Sequence, residues 1–343
     1  MRRILNYNFE GMLSSLGPRW VFVVLGILPT FLIGNFAAQE ATFSSQSTVV
    51  LVPTLVRDAR GNAVYGLQSK DFIVEDDGVQ QTVHLDEEAE SEPISVVVAV
   101  QTGRRAMREF PRIRGLGSML QPVFDQPQSR VALVEFDSKV SFIHDFTHND
   151  GVIHSDLEQL QPGDGGAAIL DAVNYSVKLL EQEPKGSQRV LLLISETRDH
   201  GSKSVKVNDA IAEIGNSSTV IYALPFSPSL SQVLDTERGS NNDEMQAGPD
   251  LLAPLMMTAQ SMRKNVSKTI AHMTGGEYEL FSSRKSFETD MTGFTNHLHS
   301  RYLLSFQPQN PHPGLHEIRV HLADPGTSTV LFRNSYWAQA ADP

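Results

Sequence analysis

Cysteine is absent from all 343 residues, which excludes disulfides, thiolate metal sites and cysteine nucleophiles. Basic charge is scarce: 28 Lys and Arg stand against 40 Asp and Glu, a formal net charge of -12. No basic stripe interleaved with aromatics offsets this, so a nucleic-acid backbone finds no concentrated cationic surface and is excluded as a partner. Catalytic signatures are missing as well. The chain has no Gly-x-Ser-x-Gly elbow, no phosphate-binding loop and no His-Glu-x-x-His zinc motif. Gly115-x-Gly117 is not set between a strand and a helix, as a dinucleotide loop must be. Nor is there a long apolar run: residues 20–33, interrupted by Gly26 and Pro29, fall short of the ~20 residues that a bilayer-crossing helix needs.

That short apolar stretch is nevertheless informative. Arg2, Arg3 and Arg19 precede it, the order of charge and apolarity found in export signals. Residues 1–38 are expected to be a signal peptide or an N-terminal anchor, with cleavage near Ala37 or Ala38 despite the poorly fitting Phe36. The protein is then periplasmic, extracellular or held at a membrane by this segment alone. Residues 39–46 are small and polar and form a linker.

The rest of the chain changes pattern twice. Residues 47–90 are β-rich: apolar runs at 49–56, 72–74 and 79–85 are divided by turn residues, and Asp77-Gly78 is a hairpin signal. The acidic cluster Asp86, Glu87, Glu88 and Glu90 that ends this segment is expected to be a solvated hinge. From 93 to 300 strands alternate with helices, the mark of a parallel sheet covered on both faces. The continuous β-branched run 94–100 is a fully buried strand, and 130–136, 190–194 and 219–224 are further strands. Residues 140–143 pair with 130–136 as a hairpin across Asp137-Ser138-Lys139, and 278–281 make a short strand. Helices are expected at 113–124, at 169–181 with Leu170, Val173, Val177 and Leu180 on one face, at 251–273 and at 284–299. Residues 225–249 are polar and aperiodic, and are expected to form a long mobile loop. The C-terminal segment 301–340 returns to strands, at 302–306, 316–322 and 327–332. Neither β flank holds enough strands to stand alone, whereas together they suffice for a small β-sandwich into which the α/β unit is inserted. Two separate small β units are the alternative.

The order of these marks resembles von Willebrand factor type A (VWA) proteins of the exported bacterial kind called VWFA-related, described from Acidobacteria. The resemblance rests on the 53–61 strand and turn, on 67–78, on Gly165-Gly166-Ala167-Ala168-Ile169-Leu170-Asp171-Ala172, and on the closing 302–306, 310–311 and 316–320. It implies a Rossmann-like α/β fold and a divalent cation held by three loops at the top of the sheet. Each loop departs from the family's pattern. Gln101 stands for the aspartate of Asp-x-Ser-x-Ser, Gly103 for one serine and Arg105 for the other. Ala167 stands for a threonine, and Glu196 takes the aspartate place in Ser195-Glu196-Thr197. Hard cations need oxygen ligands in near-octahedral order, so the expectation is a degenerate site with no metal and no cofactor. The alternative is weak ion binding by Glu196, Asp164 and waters. A sharper expectation is that Arg105 pairs with Glu196, Asp199 or Asp164 in place of the ion, against the plainer one that Arg104 and Arg105 face solvent.

The function that follows is non-enzymatic recognition of a protein or cell-envelope ligand through Gln101, Gly103, Arg104, Arg105, Asp164, Ala167, Glu196 and Asp199. A metal-dependent adhesion module and an unrecognised hydrolase are the rivals. His297 and His299, and His312 and His316 about a proline turn, are expected to be solvated. Asp171 is expected to hold a structural hydrogen bond or to face solvent, and Met256, Met257, Met262 and Met273 to lie in the core.

Overall fold

A computed structural model describes residues 49–86, 92–104, 106–113, 115–226 and 252–339. The chain divides into two compact units, Met1–Gln46 and Ser47–Pro343, and every described residue belongs to the second. The expected export segment and linker, and most of the expected loop at 225–249, lie outside the described residues.

The first strands are β1 (Val50–Arg57), β2 (Phe72–Asp76), β3 (Val79–Gln80) and β4 (His84–Asp86). Asp77 and Gly78 turn β2 into β3 with φ of 48° and 80°, the paired positive values of a type I′ turn that only Gly and short polar residues adopt cheaply. The expected single strand 79–85 is divided, because β3 pairs with β2 while β4 pairs with β10 (Tyr302–Phe306) in another sheet.

The α/β unit contains β5 (Ile94–Gln101), β6 (Arg130–Phe136), β7 (Val140–Thr147), β8 (Gln188–Ser195) and β9 (Val220–Pro225) in the order β7-β6-β5-β8-β9. Only β7 is antiparallel, as the returning arm of the hairpin. All eight residues of β5 are buried. Val96, Val98 and Val100 enter one apolar core and Val97 and Ala99 the other, the period-2 division that a two-faced sheet requires. Helices cover both sides. Three one-turn helices, α1 (Phe110–Ile113), α2 (Leu116–Met119) and α3 (Gln121–Phe124), stand where one helix over 113–124 is expected. Gly115, at φ 87°, and Pro122 in the first turn of α3 divide them. Two helices, α4 (Asp150–Gln159) and α6 (Val207–Asn216), were not anticipated. Helix α5 spans Ile169–Glu181 and buries Leu170, Val173, Val177 and Leu180 as expected.

The expected helix 251–273 is two, α7 (Ala253–Lys264) and α8 (Val266–Thr274). Asn265 interrupts it by turning extended and accepting the Lys268 N–H at 2.9 Å, an N-cap. Gly275 ends α8 in the left-handed conformation. Met262 and Met273 are core, whereas Met256 and Met257 are exposed. Residues 278–281 run beside β9 through isolated parallel bridges at Tyr278 and Phe281. The last helix, α9 (Arg284–His297), buries Phe287, Met291 and Phe294.

After β10 come β11 (Gly314–Leu322), β12 (Thr329–Phe332) and β13 (Ser335–Ala338). Strands from the two ends of the chain interleave in two four-stranded sheets, β12-β1-β10-β4 and β13-β11-β2-β3. Val52, Val74, Leu304, Phe306, Ile318 and Val320 from both sheets share one apolar core. The β flanks therefore pack together, with the α/β unit inserted between β4 and β10.

Candidate functional site

The parallel register Val100↔Ile194 between β5 and β8 carries Gln101 to the start of the loop that begins at Glu196. Both are almost wholly buried, at 1% and 5% exposure. Burial obliges them to find partners, and they find each other. Gln101 Oε1 accepts the Glu196 N–H at 2.8 Å, and Gln101 Nε2 donates to Glu196 Oε1 at 3.2 Å. The second carboxylate oxygen lies 3.1 Å from His200 Nε2. The Ser267 hydroxyl at the start of α8 donates to the Glu196 carbonyl at 2.8 Å. Amide, carboxylate and histidine thus tie the first and third loops together.

The second loop is drawn in by backbone. Gly163 N–H donates to the Thr102 carbonyl at 2.7 Å, and Arg104 N–H donates to the Asp164 carbonyl. A Cβ at Gly103 would collide with the Gly166 carbonyl oxygen, so the position expected to correspond to a serine has no room for any side chain. Ala167 is fully buried in the apolar core. Asp164 is exposed and accepts the N–H groups of Ser138 at 3.1 Å and Gly166 at 2.7 Å, with the Ser138 hydroxyl on its other oxygen. The Ser138 hydroxyl and the Gly166 N–H hold its carboxyl below the usual aspartate range. Asp199 accepts the Leu170 N–H at 2.9 Å, capping the N-terminus of α5 from another loop. Asp171 returns the favour by accepting the N–H groups of Lys203 at 3.0 Å and Val205 at 2.9 Å, so its role is structural. Arg104 is exposed. Arg105, and with it the expected ion pair, lies outside the described residues.

The side chains of the three loops are engaged with one another. The amide of Gln101 is spent on Glu196, Gly103 and Ala167 offer no side-chain oxygen, and Asp164 and Asp199 are engaged in separate turns. Among the described residues, the one group of His, Asp and Glu that could converge on an ion is Asp77, His312 and His316, in the sandwich. Around the three loops, the exposed Arg104, Lys139, Arg198 and Lys203 stand among the carboxylates of Asp137, Asp164 and Asp199, a surface of mixed charge.

Two polar clusters escaped the sequence reading. His316, expected in solvent, is fully buried and lies 3.2 Å from Asp76 and 2.8 Å from Asp77. Burial opposes charge on this ring, but its bonds to Asp76 and Asp77 outweigh that and hold its pKa up at about 10. His297 is likewise buried, 3.0 Å from Glu277, which also binds Arg57 at 3.1 Å and Arg301 at 3.4 Å. Burial works against the Glu277 charge, yet His297 and Arg301 prevail and keep its carboxyl below the ordinary value. A cavity of about 210 Å³ opens beside this cluster, lined among others by Arg57, Tyr222, Glu279 and Asp290. One Asp290 oxygen is buried without a hydrogen-bond partner, and burial, then the charge of Glu279, pushes its carboxyl up to about 6. The groups of each cluster come from distant segments, and no local motif announces them.

Residues 100–198 match the family described as von Willebrand factor type A domain. No curated protein matches the chain. Among solved structures the chain is similar to BatB of Bacteroides thetaiotaomicron, with 14% identity, 58% of this chain and 95% of that one covered, and a TM-score of 0.39. An aerotolerance-related membrane protein of Bacteroides fragilis gives 14% identity, 60% and 100% coverage and a TM-score of 0.38. The PilB minor pilin of Streptococcus sanguinis gives 11% identity, 61% and 62% coverage and a TM-score of 0.40.

Proposed function

We propose, for a chain that carries a von Willebrand factor type A domain, that it is an exported, non-enzymatic binding protein whose sheet-top loops recognise a protein or envelope ligand without a cation. Modules of this type generally serve protein interaction, and open α/β sheets bind ligands beyond the carboxyl ends of their strands. The observation that carries the reading is the double hydrogen bond between Gln101 and Glu196. It joins the two loops that an ion would otherwise bridge. The order of Arg2, Arg3 and Arg19 ahead of the apolar residues 20–33 is what supports a location outside the cytoplasm.

The exposed Arg104, Lys139, Arg198 and Lys203, set among Asp137, Asp164 and Asp199, give the loops a polar surface of mixed charge for a ligand to meet. Opposite charge chiefly raises association rate and specificity. The test is capture from envelope extracts by wild type and by an Arg104→Glu/Arg198→Glu variant, with chelator or with magnesium. The reading expects a partner retained in chelator and lost by the variant, whose melt is unchanged. Capture that requires magnesium, or that survives charge reversal, overturns it.

A further inference from the structure

We propose that Asp77, His312 and His316 form a binding site for a first-row divalent metal, such as zinc, at the edge of the β-sandwich and apart from the α/β loops. The argument starts from the outward nitrogens. His316 Nε2–H donates to the His312 carbonyl at 2.7 Å, and His312 Nδ1–H to the Pro313 carbonyl at 3.3 Å. A carbonyl only accepts, so each contact places the proton on the outward nitrogen. This is the arrangement that fixes the tautomer of metal-binding histidines. The inward nitrogens, His316 Nδ1 and His312 Nε2, then both aim at one atom, Asp77 Oδ2, at 2.8 Å and 3.1 Å. In the ion-free protein His316 donates Nδ1–H to the Asp76 and Asp77 carboxylates, and a divalent ion bound between the rings and Asp77 would take the place of that proton.

Asp76 Oδ1, 3.2 Å from His316 Nδ1, steadies the buried ring, and the Tyr336 hydroxyl holds the other Asp76 oxygen at 3.1 Å, so three protein ligands leave the remaining position to water. Ligands ~2 Å from a tetrahedral ion lie about 3.3 Å apart, so these separations need to widen only slightly. Two imidazoles with carboxylates suit zinc, cobalt or nickel and not magnesium or calcium. Access is open from one side: His316 is buried, but the side chains of His312 and Asp77 are 29% and 35% exposed.

One feature must change on binding. The His312 and His316 rings stack at 3.9 Å with 18° between planes, and an ion has to lie in the plane of both. His312, on the surface turn, rotates out of the stack as the ion enters.

The experiment titrates zinc into the full chain by calorimetry, follows the melt with and without zinc, and records the visible spectrum after adding cobalt. Variants His312→Ala and Asp77→Asn are used, because the buried His316 is less safely replaced. Wild type should take up one equivalent with a raised melting temperature and intense visible cobalt absorption. Each variant should fold and bind at least about 10-fold more weakly. Asp290→Asn, a change in the α/β unit, should bind zinc as wild type does. No saturable uptake, or equal uptake by wild type and His312→Ala, overturns the proposal.

Discussion

Replacing Gln101 by Glu changes one NH₂ group to an oxygen and leaves shape almost untouched. Its consequence follows from the 3.2 Å between Gln101 Nε2 and Glu196 Oε1. A bond donated to a carboxylate becomes two carboxylate oxygens face to face in a buried site. At that separation two full charges repel by ~5 kcal/mol at an effective dielectric constant of about 20. The folded protein has a cheaper course: it takes up one proton. Holding a proton at pH 7 on a group whose ordinary pKa is about 4.3 costs about 4 kcal/mol, so protonation prevails and sets the loss at roughly 3–4 kcal/mol. The shared proton raises a folded-state pKa above its unfolded value. Stability is therefore intact below about pH 4 and falls as pH rises towards 7. Denaturant midpoints of wild type and variant from pH 4 to 7.5, at equal slope, measure it. A variant within about 0.5 kcal/mol of wild type at pH 7, or a deficit that does not shrink on acidification, refutes the reasoning.

Gly103→Ser, which restores a hydroxyl at the position expected for it, should lose about 2 kcal/mol or more in denaturation, since the obstruction is the Gly166 backbone rather than a movable side chain. A stable variant would mean that the loops are not packed as described. Asp290→Asn should gain stability over wild type at neutral pH. The folded carboxyl of Asp290 is raised to about 6 from 3.8, so wild type keeps this stability below about pH 4 and loses it as pH climbs through 6. Melts should converge at pH 4 and separate above 6, and an advantage that is constant with pH would contradict the assignment.

The sequence is most legible where burial imposes a period. The β-branched run of β5 and the apolar face of α5 each answer to a covered sheet, and both lie where the pattern puts them. Helix α4 was missed because it buries only Ile153, leaving little apolar period to read. The helix expected over 113–124 breaks because Gly115 and Pro122 override its apolar spacing. At the candidate site, the departures at Gln101, Gly103, Ala167 and Glu196 could be read one at a time. Their geometry could not: the Gln101–Glu196 pairing depends on the register of β5 against β8, and the absence of space at Gly103 depends on the path of 163–166. His316 was misplaced for a similar reason. Its partners, Asp76 and Asp77, lie 240 and 239 positions away and meet it only because β2 and β11 pair.

A calorimetric titration of magnesium into the full chain examines the sheet-top loops most directly. Closure by Gln101 and Glu196 predicts no saturable heat, with His312→Ala and wild type behaving alike. Uptake of one equivalent of magnesium that disappears in Glu196→Gln would contradict it.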